Sequence, residues 1–404
     1  MERFKSKTLL DLPAASNQAF IDTLKPALQV LAGAIRTNND ELTFRALAAI
    51  KVLPQFILRQ HGKPTSVKAR NAMIRGPLNG SPPTEAPVRA LHEEEEVGFL
   101  SPEQRLAVRR SHKLLQAGDP KRALDALIHV GHAQKRPADP TDDVIKKLED
   151  LHPKASEPPP PIPLLAPFGI PLSKRQFAKS ARSLKKNVAP DLFGWTPALL
   201  NILMRDPTCA DSIRLLSEQI IDGNLSDDVR DLVMVCWLIA LDDTKKIRPI
   251  AGGCIEFVLS MHYLMGNNKD AVRQVIQKSG LQFGIGCREG VISSARITQL
   301  ALEADPNKLV LKVDYAAAFQ NTKRKQMLNM IFEQPRFAPL FRIIHFAYAK
   351  QSMLLVRDKM GIVQASISSE EGCRQGCVAG SLQCSQTPRY PHWRLCRRNS
   401  RHSS

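Results

Sequence analysis

The stretch LVLKVDYAAAF, residues 309–319, decides how the rest of the chain reads. In an extended strand successive side chains alternate, so Leu309, Leu311 and Val313 share one face and Asp314 takes the other. The pattern predicts a short strand over 308–313 with its apolar face buried and a carboxylate emerging at its end, within reach of a metal ion. Phosphoryl transfer to a growing polynucleotide needs divalent ions held by carboxylates on rigid elements. One ion activates the attacking hydroxyl and the other neutralises the triphosphate. Asp314 supplies half of such an apparatus, and Phe319, five residues on, fits beneath a bound sugar. Its ring there would exclude a 2′-hydroxyl and select deoxynucleotides. An acidic residue closing a buried strand, followed by an ordinary core phenylalanine, is the plainer version, and the motif by itself favours it.

Two further segments shift the balance. In TKKIRPIAGG (244–253), Lys245, Lys246 and Arg248 sit on a turn after a buried-type strand predicted over 233–241. Basic groups on such a turn suit a clamp on triphosphate oxygens, which arginine can bond in bidentate fashion; a solvated hairpin tip is the alternative. In EEGCRQGCVAGSL (370–382), Gly372, Gly376 and Gly380 flank Arg374 and Gln375. Glycines let backbone approach a base pair closely, and an amide such as Gln375 can bond to nucleotide or template.

Working outward, helical periodicity appears at 18–35, 41–58, 101–117, 120–133, 174–186, 196–204 and 210–221, and resumes after Asp314 to about residue 350. A hairpin is predicted from SMLLVRD (352–358) and GIVQASIS (361–368). The run EPPPPIP (157–163) reads as a stiff extended connector, because proline fixes its own backbone angle and removes a donor. The resulting plan is a helical N-terminal region (1–60), a basic flexible linker (61–100), a helical leader (101–156), a proline-rich connector (157–167), a larger unit (168–383) and a disordered basic tail (384–404). The fold class predicted is α+β.

The balance of 57 basic against 39 acidic residues, a net +18, favours phosphate polyanions as partners, since each neutralised phosphate releases counterions. The most apolar run, 232–241, is about ten residues, well short of the roughly 20 that span a bilayer. With no apolar core for a signal peptide near the start and eight scattered cysteines, a nuclear or cytoplasmic protein is expected, neither secreted nor membrane-bound.

Taken in order, GWTPALLNILM (194–204), LIALDDTKKIRPIAGG (238–253), LQFGIGCREGV (281–291), LVLKVDYAAAFQNTKR (309–324) and EGCRQGCVAGSL (371–382) resemble the reverse transcriptases of non-LTR (LINE-type) retrotransposons. The resemblance covers about 170–383 and extends weakly upstream through 120–133 and 144–153. It implies right-hand polymerase fingers and a partial palm, with RNA template, DNA primer and deoxynucleoside triphosphates as partners and magnesium as cofactor. By it, Asp314 is the first metal-binding carboxylate and Phe319 the sugar-selecting aromatic. Arg248 holds phosphates with Lys245 or Lys246, and Gln375 and Gly376 line the nucleotide contact.

The sequence departs from the family at three points. Ala317 and Cys377 stand where a polar residue and an aspartate are usual, and the paired aspartates expected downstream of Gly380 are missing. Several carboxylates are needed to hold two divalent ions, so polymerisation by this chain alone is not expected. A non-catalytic nucleic-acid-binding protein derived from a retroelement is the other reading. Asp242 and Asp243 are read as a charged turn, Asp142–Asp143 and Asp227–Asp228 as helix-start acids, and the scatter of Cys373, Cys377, Cys384, His392 and Cys396 as coincidence rather than a zinc site.

Overall fold

Helices carry most of the core, and their apolar stripes explain why. The computed structural model describes residues 14–57, 136–168, 171–185, 188–242, 246–277, 289–305, 316–358 and 361–386, with isolated residues between them (12, 71–72, 74, 108–109, 111–112, 283–285, 307 and 309–311). The predicted helices over 101–117 and 120–133 and the tail lie almost wholly outside the described residues.

In α1 (Asn17–Arg36), Phe20, Leu24, Leu28, Leu31 and Ile35 recur at three- and four-residue spacing and are buried. The chain turns at Asn38, whose φ of 51° is left-handed, a conformation asparagine tolerates better than most side chains. It then enters α2 (Asp40–Ile57), with Asn39 Oδ1 accepting from Leu42 N at 2.9 Å. Further on come α3 (Asp142–Asp150), α4 (Lys174–Ser183), α5 (Pro197–Leu203) and α6 (Pro207–Asp222). The side chain of Asp206 caps α6 by accepting from Cys209 N at 3.0 Å, and Lys25 of α1 bridges the same carboxylate at 2.9 Å. Phe20, Leu24 and Leu31 thereby share one apolar core with Leu199, Ile220 and Phe257.

The predicted strand over 233–241 is corrected at its start. Val233 and Met234 end α7 (Asp227–Met234), and β2 (Cys236–Asp242) begins after them. One apolar run serves a helix end and a strand, so hydrophobicity alone cannot place the border between them. As predicted, Asp227 and Asp228 lie in the first turn of α7, as do Asp142 and Asp143 in α3. Beyond β3 (Ile247–Gly252) follow α8 (Ile255–Asn267), α9 (Lys269–Ile276), α10 (Gly290–Ala304), α11 (Arg324–Glu333) and α12 (Ala338–Tyr348). The predicted hairpin forms as β4 (Ser352–Arg357) and β5 (Val363–Ser369), and α13 (Gly380–Gln386) ends the described chain.

The described sheet has five strands centred on β2. Along one edge β3 pairs antiparallel, Leu241 opposite Arg248. On the other edge β4 pairs parallel at Cys236 and Trp237, while the short β1 (Arg136–Pro137) pairs antiparallel at Leu241 and Asp242. Cys236, Leu238 and Ala240, at strand spacing, pack with Leu354 and Val356 under Leu148 of α3. The chain is therefore α+β. The strand predicted over 308–313 is not borne out in its described part: residues 309–311 are not in a strand, and Leu309, Val310 and Leu311 are 97%, 58% and 77% exposed. Alternation prepares a segment for a sheet, but a strand also needs a neighbour to pair with, and no described strand lies against this one.

A buried ion pair ties α2 to α8. Lys51 Nζ lies 3.0 Å from Glu256 Oε2 and 4.6 Å from the centre of the Phe193 ring. Burial opposes its charge, yet Cys254, Glu256 and Asp191 around it outweigh that and hold the ammonium above its ordinary pKa. Asp191 Oδ1 accepts from Phe193 N and Trp195 N, each at 2.9 Å, and Oδ2 from Ile255 N at 3.0 Å. Burial first, then Glu256, raises its carboxyl to about 6. Replacing Lys51 by Met leaves two carboxylates facing each other in the interior, and breaking one partner of a buried pair costs about 3–5 kcal/mol. Urea denaturation of Lys51→Met is expected to show that loss, with Glu256→Gln in the same chain recovering part of it. A Lys51→Met midpoint equal to wild type contradicts the assignment.

Candidate functional site

Three segments distant in sequence meet beside β3. The turn over 316–321 contains Ala317, whose φ of 47° is strained for a residue with a Cβ. It leads through Phe319 and Gln320 to Thr322, where the backbone pairs with the glycine loop. Gly372 N donates to Thr322 O and Cys373 N to Phe319 O, both at 2.9 Å. Two residues on, Gln375 O accepts from Ala251 N of β3 at 2.9 Å. The glycine loop is thus stitched on one side to the Phe319 segment and on the other to the strand carrying Arg248.

Two glycines make this approach possible. At Gly372 (φ +74°) a Cβ would stand 2.4 Å from Gln320 O, and at Gly376 (φ +121°) it would stand 2.7 Å from Ala251 O. Both positions combine left-handed backbone with backbone contact that no methyl could share. At Gly380 a Cβ would stand 3.2 Å from both Arg374 O and the Phe319 ring. Phe319 is half-buried against the loop.

Buried arginines hold the junction from beneath. Arg324, 1% exposed, donates from Nε to Gly372 O (2.9 Å), from Nη1 to Ser369 O (2.9 Å) and from Nη2 to Ser369 Oγ (2.8 Å). Its backbone N–H donates to Glu371 Oε1 at 3.1 Å. Burial lowers its guanidinium to about 10, which leaves it charged at neutral pH. Arg374 reaches Met234 O at 2.6 Å and also bonds Ser352 Oγ. Arg230 donates to the carbonyls of Phe346 (2.9 Å), Lys350 (2.8 Å) and Gln351 (2.9 Å), satisfying acceptors left open at the end of α12.

The junction encloses a narrow pocket lined by Pro249, Ala251, Gln320, Glu371, Gln375 and His152, with room for little more than a water molecule. Of the residues singled out from sequence, Phe319, Gln375 and Gly376 lie at this junction; Arg248 is on the same strand three residues before Ala251, on the alternate face from Pro249 and Ala251, and Lys246 is exposed just before β3. Asp314 and Lys245 lie outside the described residues. Sequence reasoning missed Gln320, Glu371 and His152. The signals for Gln320 and Glu371 were their places beside Phe319 and Gly372; nothing local marks His152.

The described residues do not suit magnesium. Glu371, the carboxylate in the pocket, is occupied by Arg324 N–H and by the Lys323 ammonium, 3.0 Å from its Oε2. The one group of three potential metal ligands among the described residues, Asp191, Cys254 and Glu256, is buried around the Lys51 ammonium, which already supplies the positive charge. Among the described residues no helix is long and apolar enough to cross a membrane.

No protein-family model matches the chain. The retrotransposable element SLACS 132 kDa protein of Trypanosoma brucei gambiense is 27% identical over 224 residues, covering 54% of this chain. The match spans 18% of that relative's length. The similarity supports a retroelement origin for the chain.

The close approach at Gly372 gives a direct test. Gly372→Ala forces a left-handed alanine against a carbonyl, and strain plus overpacking together cost about 3 kcal/mol. A thermal or urea melt should register that loss, whereas Gly266→Ala, where a Cβ meets nothing within 4 Å, should leave stability unchanged or higher. Equal stability of the Gly372 variant and wild type contradicts the geometry.

Proposed function

We propose that the chain is a retroelement-derived nucleic-acid-binding protein built on the framework of an RNA-directed DNA polymerase, engaging RNA template and DNA primer without polymerising by itself. One observation carries the reading. The segments that the resemblance assigns to sugar and base contacts, around Phe319 and Gln375, are bonded to each other, and Gln375 is bonded to Ala251 of the strand that carries Arg248, assigned to phosphates. The net charge of +18 and the similarity to a retrotransposon protein point the same way.

In this reading Arg248 and the exposed Lys246 meet backbone phosphates, Gln375 meets a base edge, and Phe319 presents its ring to a sugar. Rigid backbone beneath them sets their spacing. Polymerisation is not expected, because the described carboxylates that do gather, Asp191 and Glu256, are buried around the Lys51 ammonium and not at the junction. Asp314, outside the described residues, would be the residue to act if it did occur.

Fluorescence anisotropy with a labelled RNA–DNA primer–template tests this. Binding should weaken about tenfold or more as salt rises from about 50 to about 200 mM, the signature of several phosphate contacts. Lys246→Ala/Arg248→Ala should lower both the affinity and the salt slope, and Asp314→Ala should leave binding in place. Absence of binding in low salt overturns the proposal. Template-directed extension that disappears in Asp314→Ala overturns its non-catalytic part.

A further inference from the structure

The proline-rich run, read from sequence as a stiff connector, is fastened to the body of the protein at several points. Its prolines lack N–H donors and it holds one internal backbone bond, Ala166 N to Pro163 O at 2.9 Å, so other carbonyls accept from elsewhere. The anchors come at intervals along 154–168. Lys154 pairs with Glu370 at 3.0 Å, Lys323 Nζ donates to Ser156 Oγ at 3.1 Å, and Lys325 lies 2.6 Å from Glu157. His345 Nε2 donates to Pro160 O at 2.9 Å. Arg342 donates to Pro167 O and Ala166 O, both at 2.9 Å, and stacks 3.8 Å from the centre of the Phe168 ring. Glu370 neighbours the pocket residue Glu371, and Lys323 bridges Glu371 itself, so the start of the segment is fastened at the pocket's edge.

At that start stands His152. Its Nδ1–H donates to Leu148 O at 2.6 Å at the end of α3, and its ring forms one wall of the narrow pocket against Pro249, Gln320 and Gln375. The pocket is too small for a nucleotide base, and among its lining residues Gln375 is the one that the resemblance assigns to nucleotide contact.

We infer that residues 152–165 form a releasable strap that keeps His152 in the pocket and so occludes the nucleic-acid site, an autoinhibitory contact built into the leader. The inference rests on the function proposed above. Ala166 belongs to the apolar core, but the anchors before it are polar and mostly on the surface, so the stretch 152–165 can detach while the core stays intact. A primer–template end binds the detached state, and its apparent affinity falls by the fraction of molecules with the strap down.

The test uses the full chain with Lys325→Ala/Arg342→Ala, which removes two anchors that do not line the pocket. Three measurements are compared with wild type: amide exchange over 154–168, diethyl pyrocarbonate modification of His152 read by peptide mass spectrometry, and anisotropy with the RNA–DNA primer–template. Losing two positive charges by itself weakens polyanion binding. The strap account requires the opposite sign: faster exchange, a His152 that reacts faster, and binding about threefold tighter as the open fraction grows. A second variant, His152→Ala, should tighten binding with exchange over 154–168 unchanged. Weaker binding in the double variant, or faster exchange with His152 reactivity and binding unaltered, overturns the inference. If neither protein binds primer–template, the functional reading fails, and His152 reactivity alone then decides whether the strap closes the pocket.

Discussion

Arg324 is a long cation with five N–H donors in its side chain and 1% of its surface exposed, so the donors it carries into the interior need acceptors there. It finds them at the end of β5 and in the glycine loop, through Ser369 and Gly372, while its own backbone N–H takes Glu371. Because these groups are bonded to one guanidinium, they keep a fixed spacing. The backbone pairing of Gly372 with Thr322 and of Cys373 with Phe319 follows from that spacing, as does the placing of Gln375 against β3. The candidate site is a consequence of satisfying a buried arginine.

The same logic recurs elsewhere. Arg230 closes the carbonyl end of α12, Arg374 reaches back to the end of α7, and Lys51 neutralises the carboxylates beside the start of α8. Buried cations therefore stand at several places where the chain changes direction. Isolated ion pairs of this kind add little stability compared with apolar packing but are costly to disrupt, which suits a scaffold whose task is to hold loops in one arrangement. The strap differs. Its contacts with the body lie largely on the surface, where ion pairs are weak and screened by salt, and that contrast between fixed junction and loose cover underlies the gating argument.

How much was legible in the sequence follows from which forces are local. The stripe Phe20, Leu24, Leu31 announced α1, and the alternation in 352–368 announced the β4–β5 hairpin, because periodicity is a property of neighbouring residues. Gly372 and Gly376 could be picked out because close backbone approach demands glycine. The border between α7 and β2 was misplaced where one apolar run served both. Leu309 to Leu311 had the letters of a buried strand without a described strand to pair with. In TKRK nothing separates the buried Arg324 from its exposed neighbours Lys323 and Lys325, since its acceptors lie 45 and 48 positions away. In the proline run the letters announce a stiff connector but not the contacts that fasten it to the body. Its anchors come from side chains such as Lys323, 167 positions beyond Ser156.

Photocrosslinking bears most directly on the claim that the Arg324-held junction is where nucleic acid sits. An RNA–DNA primer–template carrying a photoreactive base at the primer 3′ end is irradiated with the full chain, and the attached peptides are identified by mass spectrometry. The account predicts attachment within 309–323 and 371–383, lost when Arg324 is replaced by Met and the two segments separate. Attachment confined to α1 and α2, or unchanged by loss of Arg324, contradicts it.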